Sequence, residues 1–373
     1  MSKNYLIKLT PLDWFFFGGE RTHGEGKKSD YLSKSNSFPQ QTAVLGMVRY
    51  QLLKQKGCLT LPGAVINKRP SWLISKGEVK TAEHINAIND LVGAQSFYMS
   101  NDNTQVVNFG AIKSISPITV AKIDKTEEYG LSFLSAAPLS HGYIDEFMDI
   151  DAISLNRKCS ENRIMDDQKS FDHKLYDNYL KWKSKNGIIP LDDIWRSKTK
   201  IGITKLKAGE VDDEKNFYKQ EYLSLKKDYI YAFFVSLDFE LQPDKVFIGG
   251  QRSAFDMAVV PLDKAESCQE LFKKACGVEK TEGKIVLLND AYVPDMKSLN
   301  DLCLFHWSYS VPFRNIETTT AKNNYAVKPK KSSIKYNFLQ KGSVLYFDES
   351  KRAKIEEILN NQNLQTIGYN IFI

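Results

Sequence analysis

The chain opens on alternation. In "NYLIKLTPLDWFF", Tyr5, Ile7 and Leu9 share one face, and Pro11 with Asp13 marks the end of a first strand. In "SFPQQTAVLGMVRYQLLKQKG" the period changes: Val44, Val48 and Leu52 stand at helical spacing, Pro39 suits a first turn, and Gly57 suits the left-handed position past the last. Between them runs a glycine-rich stretch, so the order is strand, glycine loop, helix. "TAEHINAINDLVG" repeats the helical period through Ile85, Ile88 and Val92, with Thr81 as N-cap. "QVVNFGAIKSISPITVAKI" reads as short strands or extended loop.

From about Asp145 to Lys200 the chain is polar, charged and poor in β-branched residues, with one predicted helix around "DHKLYDNYLKWK". It reads as an insertion or a domain connection. Strand patterns return in "IGITKL", "YIYAFFVSLDFEL", "KVFIGG", "GKIVLLNDAYV", "LCLFHWSYSV" and "GSVLYFD", separated by Gly, Asp, Asn and Pro turns. Only "DKAESCQELFKKAC" and "ESKRAKIEEILNN" among or after them are helical. This predicts an α+β fold, an antiparallel sheet covered on one face, with two halves that can each carry a split βαβ unit.

Composition narrows the picture. At 373 residues, 42% of them hydrophobic and 12% aromatic, the chain exceeds one ordinary core, and two domains are expected. The balance of 51 basic against 45 acidic residues, +6, is too mild to prove an anionic partner, so clustering has to decide. No long apolar run suggests a signal peptide or a membrane span, which predicts a cytoplasmic protein. Cys58, Cys159, Cys268, Cys276 and Cys303 are too scattered for a CxxC zinc knuckle and are expected as reduced, mostly buried thiols, with no metal site.

The stretch "PLDWFFFGGERTHGEGKKS", Pro11 to Ser29, concentrates aromatics, glycines and cations. It is not a phosphate loop: Gly19 and Gly24 have the spacing, but Glu25 stands where the lysine belongs, and Arg21 stands where "GKKS" would need its glycine. It does not fit GxGxxG either, so no cofactor is expected. His23, flanked by Arg21, Lys27 and Lys28, is the candidate acid or base of an alternative reading, a metal-independent ribonuclease that processes precursor RNA. Glycines at 18, 19, 24 and 26 argue against a held catalytic side chain. His84, His141, His173 and His306 include no pair spaced for a metal.

Two further basic clusters carry no acid. "WRSKTKIGITKLK" holds Arg196, Lys198, Lys200, Lys205 and Lys207, and "AKNNYAVKPKKSSIK" holds Lys322, Lys328, Lys330, Lys331 and Lys335 with Tyr325 and Tyr336 interleaved. Cations beside aromatics and glycine turns favour a nucleic-acid backbone path over solvated charge. In "VFIGGQRSAFD", Gly249 and Gly250 permit close approach, and Gln251 and Arg252 then reach a phosphate or base edge.

The order "TPLDWFFFGG", "FPQQTAVLGMVRYQLL", "IGI" with "FYKQEYLSL", "FIGGQRSAF" and "QKGSVLYFD" resembles the RAMP superfamily of CRISPR RNA-binding proteins. The likeness is greatest to the family that forms the third subunit of the Cmr, or type III-B, effector complex. It spans most of the chain and is strongest at Pro11 to Arg49 and Phe247 to Arg252. Where the family usually has a second proline after "FP", this chain has Gln40 and Gln41. The resemblance implies two ferredoxin-like folds, here residues 1–144 and 201–373 with 145–200 between them. It implies a non-catalytic subunit that caps the 5′ handle of the CRISPR RNA and contacts the polymerase-like large subunit and the backbone RAMP subunit. Carried onto the matching positions, the RNA-binding residues are Gly18, Gly19, Arg21, Gln40, Gln41, Thr42, Arg49, Gly249, Gly250, Gln251 and Arg252. Arg49 would anchor a handle phosphate from the helix after the opening loop.

Overall fold

The first strand, Lys3–Pro11, lies inside a seven-stranded sheet, between Tyr229–Leu237 and Ser253–Leu262 and antiparallel to both. The computed structural model describes residues 2–18, 32–57, 65–66, 69–70, 90–93, 107–139, 182–184, 187–203, 217–249, 253–314, 316–320, 327–331 and 334–373. Beyond Tyr229–Leu237 come Thr119–Ile123 and Leu131–Phe133, with Ile112–Ile115 on the same strand, and Asp244–Ile248 forms the opposite edge. The fold is thus α+β with mostly antiparallel pairing.

The helix Gln41–Gln55 connects Lys3–Pro11 to Thr119–Ile123, and Tyr229–Leu237 lies between those two strands. That is a split strand–helix–strand path. The helix starts two residues after Pro39, with Gln40 as N-cap, and Gly57 beyond it has φ 72°. Among the described residues, a hairpin through Asp244–Ile248 rather than a helix joins Tyr229–Leu237 to Ser253–Leu262.

One expectation is corrected here. The sheet is covered on both faces: Tyr5, Ile7, Leu9, Phe233 and Val235 pack with Val44, Leu45, Val48 and Leu52 of the first helix, while Leu6, Ala232 and Phe234 pack with Leu271 and Phe272 of the helix Cys268–Cys276. The continuous run "YIYAFFVSL" follows from this, because a strand buried on both faces needs no polar alternate. Lys3–Pro11 finds both its partner strands beyond residue 201.

The described residues at the end of the stretch 145–200 form strands and one helical turn. Trp182–Ser184, where the predicted helix would end, is a strand, and Leu191–Ile194 makes one helical turn. Trp195–Ile203 is a nine-residue strand paired along its length with Phe217–Leu225. Buried Trp182 explains the first of these: its ring stacks on Phe38 at 4.8 Å and meets Trp195 at 6.0 Å, too much apolar surface for a solvated linker.

The last ninety residues or so repeat the split path. Lys284–Val286 with Ala291–Tyr292, and Phe305–Trp307 with Ser310–Phe313, flank Tyr336–Leu339 with Val344–Tyr346 on either side. Met296–Leu302 crosses between the flanking strands, Arg352–Leu359 follows the middle one, and the chain end pairs with 286–288 through Val286 N–H to Ile373 O at 2.9 Å and Leu288 N–H to Ile371 O at 2.8 Å. The spatial order is therefore fourth, first, third, second. Cys268, Cys276 and Cys303 are buried. Burial pushes the Cys268 thiol up to about 11 and raises Cys276 as well, so both stay protonated at neutral pH. Cys58 and Cys159 lie outside the described residues, as do most of "TAEHINAINDLVG" and the body of the helix expected around "DHKLYDNYLKWK". Among the described residues, no helix is long and apolar enough to cross a membrane.

Candidate nucleic-acid interface

Residues 12–18 leave the sheet as an extended segment threaded between two strands. Leu12 N–H bonds Ala254 O at 3.0 Å on one side, and Phe15 exchanges bonds of 2.8 and 3.0 Å with Leu223 on the other. Alternation sorts the aromatics. Phe15 and Phe17 point into the core against Tyr231 and Phe255, while Phe16 turns the opposite way, 5.7 Å from the Tyr222 ring. The Phe16 amide donates to Ser253 Oγ at 3.0 Å, and the Phe17 amide to Ser35 Oγ at 2.9 Å. The root of the glycine-rich stretch is thereby fixed to both the strand after the Gly-Gly turn and the ribbon.

The ribbon supplies the cations. Trp195–Ile203 pairs only with Phe217–Leu225 in its three-stranded sheet, whose third strand is Leu32–Lys34. Register sets Lys198 opposite Tyr222 and Lys200 opposite Gln220, so Arg196, Lys198 and Lys200 share one face at period two. Lys200 Nζ lies 4.5 Å from the Tyr222 ring centre, and Lys198 Nζ 5.9 Å from that of Trp14. Such a surface offers phosphates their counter-charge and bases a stacking partner. Leu32, which follows residues 19–31 in the chain, opens the strand that pairs with this ribbon.

Gly249 closes the arrangement. Its φ is +91°, and a Cβ there would sit 2.8 Å from Phe16 O and 3.0 Å from Phe17 Cδ1. The glycine is required because the turn lies directly on the root of the opening stretch. Gly18 meets only ordinary contacts. Gly19, Arg21, His23, Lys27, Lys28, Gly250, Gln251 and Arg252 lie outside the described residues, as do His84, His141, His173, Lys205, Lys207, Lys322 and Tyr325.

The first helix separates from this group. Gln41 is buried at 3% exposure; its Nε2 donates to Ser116 O at 2.8 Å and its Oε1 accepts from Ile118 N–H at 3.2 Å. It braces the helix start against the sheet through both ends of its amide. Thr42 hydrogen-bonds buried Tyr369, whose pKa is raised by burial. Arg49, half-buried, stands 5.6 Å from the Phe109 ring centre, and desolvation lowers its pKa. Eight residues beyond Gln41, it lies on the order of 12 Å further along the helix axis. Of these, Gln40 and Gln41 line an open space, a cleft of about 420 Å³ between the helix start and the C-terminal unit.

Trp14, Phe16 and Tyr222 were missed as interface residues, although "FYKQEYLSL" places Tyr222 at period two from Gln220 and Ser224. Phe247, 59% exposed on the edge strand, is a further candidate outside the named motif residues; an aromatic one residue removed from a Gly-Gly pair is the signal. His306 is half-buried, its Nδ1 2.9 Å from Ser308 Oγ. Among the described residues no cluster of three or more metal-ligating side chains occurs.

An antiparallel α+β scaffold presenting a cationic and aromatic ribbon is the kind of architecture that holds a nucleic-acid strand. The chain belongs to the CRISPR-associated protein (Cas_Cmr3) family, whose model matches residues 7–373, and that family is the third subunit of the Cmr effector. Among solved structures, the chain is similar at 16% identity and a TM-score of 0.47 to one described as type III-B Cmr-beta bound to cognate target RNA and AMPPnP, covering 98% of this chain and 95% of that one. It is similar at 10% identity and a TM-score of 0.33 to a Csm1-Csm4 cassette in complex with AMPPNP, covering 92% and 88%. No curated protein matches the chain. The chain is thus a component of a CRISPR effector.

Proposed function

We infer that this component is a non-catalytic RNA-binding subunit that caps the 5′ handle of the CRISPR RNA and joins the polymerase-like large subunit to the backbone RAMP filament. The observation that carries the reading is convergence: Phe16 links the root of the glycine-rich stretch to Ser253, at the Gly-Gly turn, and to Tyr222, on which Lys200 stacks. Segments more than two hundred residues apart in sequence thereby form one cationic and aromatic surface. The family assignment supports RNA as the strand this surface takes.

The test is equilibrium binding of handle-bearing RNA to the full chain across a salt series. Capping through phosphates gives an affinity that falls steeply with salt, and Arg196→Ala with Lys198→Ala and Lys200→Ala weakens it roughly tenfold or more. Unchanged binding in that variant refutes the site. Incubation with repeat RNA in EDTA leaves the RNA intact; discrete products that vanish in His23→Ala would replace this reading by the ribonuclease.

A further inference from the structure

The cleft between the first helix and the C-terminal unit has a construction the ribbon lacks. One wall is the start of the helix Gln41–Gln55, whose N-cap Gln40 makes no side-chain capping hydrogen bond and whose first turn carries no acid. The amides of such a turn and the positive end of the helix dipole attract an anion. The facing wall carries Lys341, beyond the strand Tyr336–Leu339. Its Nζ lies 4.1 Å from the Phe38 ring centre and 5.7 Å from that of Trp182, and no carboxylate among the described residues comes within 4.0 Å of it. Burial lowers the Lys341 pKa, opposed by the charge of Asp290, which accepts the Lys341 amide at 2.9 Å through Oδ1. A cation so enclosed, without an ion-pair partner, is compensated when an anion enters. The remaining lining sets the apolar stretch Val311, Pro312 and Phe313 beside polar Asn289, Asp290 and Gln340.

We propose that this cleft is a binding site for a single nucleotide, its phosphate held between Lys341 and the start of the first helix and its base against the Val311–Phe313 wall. The volume, about 420 Å³, suits one small ligand rather than a strand. The phosphate comes from a free nucleotide or from one nucleotide of an RNA strand turned into the cleft, and the RNA source rests on the proposed function.

The experiment is calorimetric titration of the full chain with adenosine 5′-monophosphate, inorganic phosphate and single-stranded handle RNA. The nucleotide binds saturably and inorganic phosphate competes with it. Lys341→Met weakens the nucleotide about tenfold or more, the scale of a lost charge-assisted contact, while Lys341→Arg retains it. Because Lys341→Met also removes packing against Phe38, Gln40→Asp is the second variant. Gln40 has the extended backbone of an N-cap, so aspartate there raises the melting temperature by capping the helix, yet sets a negative charge at the phosphate position. It too loses the nucleotide. Parallel loss of RNA affinity identifies an RNA strand as the source; unchanged RNA affinity identifies a free nucleotide. No saturable nucleotide binding to the unmodified chain, or equal binding by both variants, overturns the proposal. Failure of the unmodified chain to bind handle RNA, with the nucleotide arm intact, instead refutes the capping role and leaves the cleft standing.

Discussion

Two nine-residue strands divide the work of this molecule. Tyr229–Leu237 is apolar almost throughout and buried from Ile230 to Leu237, between two layers of side chains. Trp195–Ile203 buries Trp195 at its start and then runs exposed through Arg196, Lys198 and Lys200 to Ile201, which is 66% exposed. Both are held by full antiparallel pairing, so backbone hydrogen bonding does not distinguish them. Side-chain burial does. The first strand is held by area removed from water; the second keeps its place by its ladder and by one anchored end, which frees its cations for a partner. A surface that grips a polyanion has to be rigid in backbone and unspent in charge, and this ribbon satisfies both conditions.

The comparison breaks most sharply in the central strand. Phe233 is fully buried, and Phe233→Ala is expected to lower stability by about 3 to 5 kcal/mol, the cost of a large cavity between packed layers. Denaturant unfolding measures it through a fall in midpoint at unchanged slope. A loss below about 1 kcal/mol would show that the layer relaxes and that the strand is not the scaffold it is taken to be.

Next in size is the contact between the opening stretch and the Gly-Gly turn. Gly249→Ala puts a Cβ 2.8 Å from Phe16 O at φ +91°, so backbone has to move; about 1 to 3 kcal/mol is expected. RNA affinity is expected to fall with it, because Phe16 and the ribbon shift together. Retained stability with retained affinity would separate the turn from the interface.

How much of this was legible in the sequence differs between the two strands for the same reason. "YIYAFFVSL" announced a strand, and a run without polar alternates also carried its two-sided burial, which was read as one-sided because its second cover, Cys268–Cys276, comes from later in the chain. In "WRSKTKIGI" only the closing "IGI" carried a strand signal, since from 195 to 201 only Trp195 is buried and the partner Phe217–Leu225 is a long-range ladder that periodicity does not reveal. Its charges, however, mark it as a candidate site in the sequence. Gln41 shows the reverse case: its motif position suggested a ligand, and its partners in the fold, Ser116 and Ile118, lie about seventy-five residues away. Lys341 stands between Gln340 and Gly342, outside every basic run, and only its place in "QKGSVLYFD" sets it apart from an ordinary surface lysine.

The joint between the two strands is a single hydroxyl. Tyr231, in the central strand, accepts from Trp195 Nε1 at 3.2 Å and donates to Ser37 O at 2.5 Å. Tyr231→Phe leaves a buried indole N–H and a carbonyl unpaired, for an expected loss of about 1 to 2 kcal/mol without a cavity. Hydrogen exchange is expected to quicken at the Trp195 end of the ribbon more than in Lys3–Pro11, which would locate the damage at the joint rather than in the sheet.

The smallest effect on stability is the most informative about function. Lys198→Ala with Lys200→Ala removes two cations that rest on Trp14 and Tyr222 and belong to no ion pair seen among the described residues, so the denaturation midpoint is expected to stay in place. Affinity for RNA is where they register. Each phosphate contact on a single strand contributes about 0.7 to the slope of log affinity against log salt, so losing both flattens that slope by about 1 to 1.5. A flatter slope at constant stability marks the ribbon as a gripping surface. An unchanged slope with weakened binding would instead assign the lysines to ordering their aromatic neighbours, with the phosphates held elsewhere.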